Sequence, residues 1–185
     1  MKKLVLLILI FLVSIGVSTW ATETGEPKIP HAGGDLTSLE AYEMLKADPE
    51  HTFLIDCRTR PEYEFVGHPP MAYNIPYMFW TLEGMKKNPN FVRDVVARFK
   101  KTDRLLIICR SGGRSRLATD ILIEARFGHV FNVLAGFEGD KVKDKNSIYY
   151  GYRGYINGWK HDELPYTYEM NEELVYKPDR PCGCE

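Results

Sequence analysis

A cysteine at the end of an apolar run has the clearest chemical potential in this sequence. Cys109 follows the apolar residues 105–108 and heads a loop that contains two arginines, two glycines and two serines: Arg110, Ser111, Gly112, Gly113, Arg114 and Ser115. The glycines allow a tight turn in which several backbone amides point inward. Such amides at the start of a helix bind anions, and together with the arginines they favour thiolate over thiol. The loop therefore predicts a reactive cysteine in an anion-binding site.

The patterns around Cys109 predict the elements that position it. Residues 105–108 are typical of a buried parallel strand, and apolar residues at helical spacing follow the loop. Gly128 is the expected C-cap of that helix. A second apolar run, residues 53–55, ends at Asp56. Because ligands of parallel α/β sheets bind beyond the carboxyl ends of the strands, we expect Asp56 and Cys109 to lie at the same edge of the sheet.

Strand and helix patterns alternate along the rest of the chain. Thr37 and Glu40 form a capping box, which predicts a helix that ends before Pro49. Weaker patterns predict four further elements: a helical turn near Pro61, a strand at residues 72–76, a helix at residues 90–101 and a strand at residues 130–134. This alternation is typical of an α/β domain with a central, mostly parallel sheet flanked by helices.

The composition suits one ordinary domain and argues against a nucleic-acid partner. The chain has 185 residues, of which 44% are hydrophobic, and its 24 basic and 25 acidic residues give a formal net charge of -1. This balance lacks the general electrostatic attraction that polyanion binding requires. We expect a small anionic partner and no nucleic acid.

The N-terminal residues have the three parts of a secretory signal. Two lysines follow Met1, residues 4–17 form a short apolar run, and small residues stand at Thr19 and Ala21. We expect cleavage after Ala21 and an exported, periplasmic protein. An uncleaved membrane anchor is the alternative, and only in that case is a membrane a partner.

Composition also divides the remainder of the chain. After the signal peptide at residues 1–21, we expect a flexible lead-in at 22–34, a domain at 35–168 and a tail at 169–185. The domain contains an irregular insertion at about 140–158. The tyrosines of the insertion are expected to pack onto the domain rather than form a binding surface.

Three further cysteines accompany Cys109. Cys57 follows Asp56 and is either a partner that resolves an oxidised or persulfidated Cys109 as a disulfide, or a buried silent thiol. Cys182 and Cys184 are separated by one glycine and could form a local disulfide, a sulfur-accepting dithiol or half of a metal site shared between subunits. No second pair of ligands accompanies them, so we predict no metal and no cofactor.

Three segments together resemble the rhodanese family. They are residues 54–76 (LIDCRTRPEYEFVGHPPMAYNIP), residues 107–118 (IICRSGGRSRLA) and residues 129–137 (HVFNVLAGF). The resemblance implies a rhodanese-like three-layer domain and a sulfurtransferase. In such an enzyme the loop cysteine accepts a sulfane sulfur as a persulfide and passes it to a nucleophilic acceptor.

Each residue of the loop has an expected role in this chemistry. Cys109 is the nucleophile and the sulfur carrier. Arg114 orients the loop or the incoming oxyanion, Arg110 meets solvent and substrate, and Ser111 and Ser115 add hydroxyl donors. The backbone of the two intervening glycines completes the cradle.

Residues outside the loop are expected to support it. Asp56 and Arg58 match the motif after the first buried strand, and we interpret them as a structural ion pair rather than as catalytic groups. His68 is expected to be a positioned structural histidine, because a thiolate that amides already stabilise needs no base.

The predicted reaction moves sulfur from thiosulfate or polysulfide to a thiol or a cyanide-like acceptor, protein thiols included. The first alternative is a non-catalytic carrier of sulfur or redox state, or a binding module for a partner protein. The second is a phosphatase or arsenate reductase that uses the same thiolate. We rank this alternative lower, because the loop from Cys109 to Arg114 has six residues, one fewer than such enzymes typically have.

Overall fold

The computed structural model describes residues 33–177. In chain order the elements are β1 (Gly34–Leu36), α1 (Ser38–Ala47), β2 (Thr52–Asp56), α2 (Arg60–Val66), β3 (Tyr73–Asn74), β4 (Met78–Thr81), β5 (Gly84–Lys87), α3 (Phe91–Val96), β6 (Arg104–Ile108), α4 (Gly113–Glu124) and β7 (His129–Val133). Five strands form one parallel sheet in the order β1-β7-β6-β2-β3. Strands β4 and β5 form a separate antiparallel hairpin. The predicted fold class, an α/β domain built on a parallel sheet, is confirmed.

Alternating strand residues build a core on each face of the sheet. On one face, the core joins the sheet to α3 and α4 through Ile55, Leu105, Ile107, Val95 and Leu122. On the other face, the core joins it to α1 and α2 through Leu54, Leu106, Ile108, Ala41 and Tyr63. Strands β2 and β6 are therefore apolar on both faces, as parallel strands covered by helices must be.

Two capping boxes explain where the first two helices begin. The Thr37 hydroxyl accepts the amide of Glu40 while the Glu40 carboxylate accepts the amide of Thr37, and α1 starts at the next residue. Thr59 and Glu62 form the same arrangement at the start of α2. The helix predicted before Pro49 and the turn predicted near Pro61 are both confirmed.

Several details differ from the sequence-based expectations. Helix α3 ends at Val96, although the pattern predicted a helix to residue 101, and the β4–β5 hairpin was not predicted. The chain reverses after α4 at Arg126, which has a φ of 68°, rather than at Gly128. The reversal comes earlier because the next residue, Phe127, turns back into the core.

The insertion at residues 140–158 contains neither a helix nor a strand. Its Tyr149 and Tyr155 rings stack on each other with centroids 4.0 Å apart. All four tyrosines are between 41% and 64% exposed. The expectation that they pack onto the domain is therefore wrong. The chain instead closes the insertion at its own base, where Asp140 N donates to Asn157 Oδ1 at 2.8 Å.

Some sequence-based predictions lie outside the described residues. These are the signal segment at residues 1–21, most of the lead-in, and the cysteines Cys182 and Cys184. Strand β1 begins at Gly34, the last residue of the predicted lead-in. Within residues 33–177, no helix combines the length and the apolar character that crossing a membrane requires.

Candidate active site

Cys109 lies directly after β6, where the chain turns into α4. Its Sγ accepts hydrogen bonds from Gly112 N at 3.2 Å and from Ser115 Oγ at 3.3 Å. Gly112 adopts the left-handed conformation with a φ of 89°, which side chains disfavour. The loop thus folds back over the sulfur, and the residue is only 1% exposed.

The surroundings of Cys109 favour its thiolate form. Burial by itself raises the pKa of this thiol. Hydrogen bonds from the Cys57 side chain and from the Ser115 hydroxyl and amide, together with the charge of Arg114, outweigh burial and hold the pKa of Cys109 well below its ordinary value. The site therefore favours the nucleophilic thiolate more strongly than the surroundings of an ordinary cysteine do.

A chain of polar side chains continues from the sulfur into the sheet. The Ser115 hydroxyl lies 2.6 Å from Asn132 Oδ1, on β7. Asn132 Nδ2 in turn donates to Asp35 Oδ1 at 2.7 Å, on β1. Because the side-chain nitrogen of Asn132 donates to Asp35, the side-chain oxygen of Asn132 must face Ser115. Two neighbouring strands thus fix the rotamer of a serine that touches the reactive sulfur.

Arg114 ties the active-site loop to α2. Its Nη1 and Nη2 donate to the two carboxylate oxygens of Glu62 at 2.7 and 2.6 Å. The side chains are 17% and 12% exposed, so the pair is largely shielded from water. Arg114 therefore orients the loop, and its charge reaches Cys109 from this fixed position.

Asp56 and Arg58 form a buried ion pair beside the loop. Arg58 Nη2 lies 2.6 Å from Asp56 Oδ2, and both side chains are completely buried. The same Nη2 donates to Gly67 O at 2.7 Å, and the guanidinium lies over the Phe137 ring at 4.3 Å. Arg58 thus connects the end of β2 to the end of α2 and to Phe137. Phe137 N donates to Cys109 O at 2.7 Å, so the pair supports the loop through one intermediate residue.

His68 and Arg110 occupy opposite environments. His68 is buried, stacks on Tyr63 with ring centroids 3.5 Å apart, and donates from Nδ1 to Tyr63 O at 2.9 Å. Burial lowers the pKa of His68, so the ring is neutral at pH 7. Arg110 is exposed and Ser111 half-buried at the outer side of the loop. His68 thus lies in the packing around α2, whereas Arg110 faces solvent.

Comparison with known protein families assigns this architecture. The sequence pattern of the rhodanese-like domain matches residues 37–143, which is more than half of the chain. The chain belongs to the rhodanese-like domain family. The matched region contains Cys109 with its whole loop, the Asp56–Arg58 pair and Asn132.

Individual proteins are similar to this rhodanese-like chain over about half of its length. It is 39% identical over 97 residues to Thiosulfate sulfurtransferase 16, chloroplastic, from Arabidopsis thaliana, covering 52% of this chain and 78% of that protein. It is 40% identical over 97 residues to Senescence-associated protein DIN1 of Raphanus sativus, covering 52% of this chain and 51% of that protein. The chain thus spans only about half the length of the radish protein.

A solved structure supports the rhodanese-like fold independently. Rv0390 from M. tuberculosis is 31% identical to this chain and superposes with a TM-score of 0.62. The superposition covers 76% of this chain and 100% of Rv0390.

Sequence reasoning missed two functional residues of the rhodanese-like site. The sequence-based prediction gives Glu62 no role, although Thr59 and Glu62 have the spacing of a capping box. It places Asn132 in the strand at residues 130–134 and gives it no role either. A polar residue in the middle of a buried strand was the available signal, because buried amides need partners.

The described part of the rhodanese-like domain has no cluster of three His, Cys, Asp or Glu side chains that could hold a metal ion. Cys182 and Cys184 lie outside it, so their predicted roles stay predictions.

Proposed function

We propose that this protein is a sulfurtransferase that moves a sulfane sulfur from thiosulfate or polysulfide to a thiophilic acceptor through a persulfide on Cys109. The observation that carries the proposal is the sulfur of Cys109 itself, which accepts hydrogen bonds from Gly112 N and Ser115 Oγ at the start of α4. The similarity to a relative named as a thiosulfate sulfurtransferase supports it.

The first half-reaction loads the cysteine. The Cys109 thiolate attacks the outer sulfur of thiosulfate and forms a new S–S bond. The S–S bond of thiosulfate breaks, and sulfite leaves with its electron pair. Both reactants are anions, so the exposed Arg110 and the inward amides of the loop lower the repulsion between them. The persulfide that forms is also anionic, and the same donors stabilise it.

The second half-reaction unloads the outer sulfur. A nucleophile such as cyanide or a thiolate attacks it, the S–S bond to Cys109 breaks, and the Cys109 thiolate is restored. The product is thiocyanate or a new persulfide. Because the donors around Cys109 stabilise its thiolate, they also make it a good leaving group in this step.

Mass spectrometry of the reduced protein tests the proposal. After incubation with thiosulfate or polysulfide, the sulfane sulfur is recovered either as one added sulfur atom on the peptide that contains Cys109 or as sulfide with oxidation of Cys109, and one sulfite appears per protein when thiosulfate is the donor. Cys109→Ser loses both signals. A wild-type protein that releases no sulfite from thiosulfate, and whose Cys109 acquires neither an added sulfur nor a disulfide with either donor, would overturn the proposal.

Turnover separates the proposed enzyme from its alternatives. With excess thiosulfate and cyanide, the enzyme forms many thiocyanate molecules per protein, whereas a non-catalytic carrier forms at most one. A phosphatase or arsenate reductase instead hydrolyses an aryl phosphate or consumes arsenate in parallel assays. We expect neither activity, because the six-residue loop closes tightly around a single sulfur.

Export is a further proposal, and it rests on the sequence pattern of residues 1–21. Fractionation of cells that produce the full chain, followed by N-terminal sequencing, tests it. A periplasmic protein that begins after Ala21 is the expected result, and a membrane-bound protein with an intact N-terminus would contradict it.

A further inference from the structure

Two cysteines stand side by side at the carboxyl edge of the sheet. In the pairing of β2 with β6, the last residues of the two strands, Asp56 and Ile108, lie opposite each other. Cys57 and Cys109 immediately follow these two residues in the chain. Cys57 N donates to Ile108 O at 2.9 Å, so the parallel ladder continues through this position. Adjacent strands lie about 4.8 Å apart, and disulfides join Cα atoms about 4.4 to 6.8 Å apart.

The side chains of the two cysteines interact with each other. Both residues are free thiols, and Cys57 and Cys109 are hydrogen-bond partners of each other. Cys57 is completely buried in the same core cluster as Cys109. Because Cys57 bonds the Cys109 sulfur itself, it is placed to attack the inner sulfur of a persulfide formed there, whereas an acceptor from solvent attacks the outer sulfur.

We propose that Cys57 discharges the persulfide of Cys109 internally, which releases hydrogen sulfide and leaves a Cys57–Cys109 disulfide. This inference rests on the proposed function, because it needs a persulfide on Cys109. It gives the protein a second activity, the reductive release of sulfide from a sulfane-sulfur donor.

Atoms and charges balance in this step. The Cys57 thiol transfers its proton to the outer sulfur of the persulfide, and the Cys57 thiolate so formed attacks the inner sulfur and forms the disulfide bond. The bond between the inner and outer sulfur breaks, and the outer sulfur leaves with the electron pair as HS⁻. The proton of the Cys57 thiol goes to the leaving sulfur. The two cysteine sulfurs are oxidised and the outer sulfur is reduced, and a dithiol from solution then reduces the disulfide.

The environment of Cys57 suits this role. Burial, followed by its hydrogen bond to Cys109, raises the pKa of Cys57, so the residue keeps its proton while Cys109 is a thiolate. A protonated partner can supply the proton that makes sulfide a better leaving group. Burial also protects Cys57 from thiols and alkylating agents in solution, so the persulfide is its principal reaction partner.

A single-turnover experiment without an acceptor tests the inference. Reduced protein is freed of reductant under argon and mixed with one equivalent of thiosulfate, and sulfite, sulfide and thiol content are measured before peptide mapping. The wild type is expected to release one sulfite and up to one sulfide per protein, to lose two thiols, and to give a peptide pair joined through Cys57 and Cys109.

Matched variants identify the resolving thiol. Cys57→Ser keeps a hydroxyl that can donate to Cys109, and it is expected to retain the persulfide and to release sulfide only after dithiothreitol is added. Cys57→Ala serves if the serine variant does not fold. A Cys182→Ser/Cys184→Ser double variant is expected to release sulfide as the wild type does, which excludes the other two cysteines as the source.

The outcomes separate the two proposals. Sulfite with a stable persulfide and no sulfide in the wild type would overturn the role of Cys57 and leave the sulfurtransferase intact. Sulfide release that persists in both Cys57 variants would also overturn it. If neither thiosulfate nor polysulfide loads any variant, the proposed function fails first, and the inference fails with it.

Discussion

The thiolate at Cys109 depends on a small number of donors, and Ser115 is the one with competing acceptors. Its hydroxyl has one proton but lies near the sulfur, Gly112 O and Asn132 Oδ1. A hydrogen bond to a charged acceptor is roughly twice as strong as one to a neutral acceptor. We therefore expect the proton to point to the sulfur when Cys109 is ionised and to Asn132 when it is not.

This competition gives a prediction for Ser115→Ala. Loss of a hydrogen bond to a charged group removes about 1.5 to 3 kcal/mol of stabilisation from the thiolate. The pKa of Cys109 is expected to rise, and on the rising limb of the pH profile the alkylation rate at a fixed pH falls about 10- to 150-fold. The measurement is the pH dependence of the reaction with iodoacetamide.

The neighbouring serine supplies the control for this experiment. Ser111 is half-buried in the same loop, and its side chain has no hydrogen bond to Cys109 among those the structure describes. Ser111→Ala is expected to leave the pH profile in place. A Ser115→Ala profile that superimposes on the wild type would mean that the hydroxyl proton stays on Asn132 even beside the thiolate.

At the scale of elements, the Arg114–Glu62 pair joins α2 to the N-terminal end of α4. Glu62 performs two tasks, since its carboxylate also accepts the amide and hydroxyl of Thr59 in the capping box. Burial raises the pKa of Glu62, but the bonds and charge of Arg114 and the bonds from Thr59 outweigh burial and lower it to about 2. The active-site loop is thus held by a helix that the same residue helps to start.

Glu62→Gln separates these two tasks. Glutamine still completes a capping box but carries no charge for Arg114. We expect a loss of about 1 to 3 kcal/mol in the free energy of unfolding at pH 7, measured by urea denaturation. Since the pKa of Glu62 is lower in the folded protein, the wild-type advantage is full above its ordinary pKa and declines as the pH falls from about 4.5 toward 2.

A surface ion pair provides the comparison for Glu62. Arg60 and Glu64 lie 3.8 Å apart on α2 with side chains 45% and 36% exposed. Glu64→Gln is expected to change stability by less than about 1 kcal/mol, because solvent screens such pairs. Equal losses in the two variants, or a Glu62→Gln loss that does not change with acidification, would show that the Arg114 pair contributes little.

The same elements show which features of the fold can be predicted from sequence. Strands β2 and β6 were predictable because burial on both faces leaves a continuous apolar run, and α1 because a capping box is a local pattern. The β4–β5 hairpin has no such pattern, since Trp80 and Leu82 are exposed although both are apolar. The pairings of Arg114 with Glu62 and of Ser115 with Asn132 depend on tertiary packing, which no local spacing specifies.

At the scale of the whole molecule, two segments outside the central sheet, the β4–β5 hairpin and the insertion at residues 140–158, begin close to residues that bond the two buried cysteines. Tyr77 N donates to Cys57 O at 3.0 Å just before the β4–β5 hairpin. Phe137 N donates to Cys109 O at 2.7 Å just before the insertion at residues 140–158. The backbone around both sulfurs is thus fixed by segments that lead directly to exposed aromatic side chains.

The insertion is closed at its base by contacts that do not involve its tip. Asp140 and Asn157 bond each other through two hydrogen bonds, and Trp159 N donates to Gly136 O at 2.9 Å. Glu138 N, also before the insertion, donates to Arg110 O at 2.9 Å. These hydrogen bonds to the active-site loop and to the base come from residues outside 141–156; from inside that range, Arg153 Nη1 donates to Gly139 O at the base.

Replacing residues 141–156 with a short glycine-serine linker tests this separation. We expect the shortened protein to remain folded, to load sulfur from thiosulfate fully, and to form thiocyanate at a rate within about twofold of the wild type, because surface loops tolerate changes in length at small entropic cost. Thermal unfolding, mass spectrometry and the cyanide assay provide the measurements. Transfer to a protein thiol is assayed in parallel, since only this reaction can use the exposed tyrosines. Loss of sulfur loading in a folded deletion variant would contradict the separation and would make the tip of the insertion part of the active site.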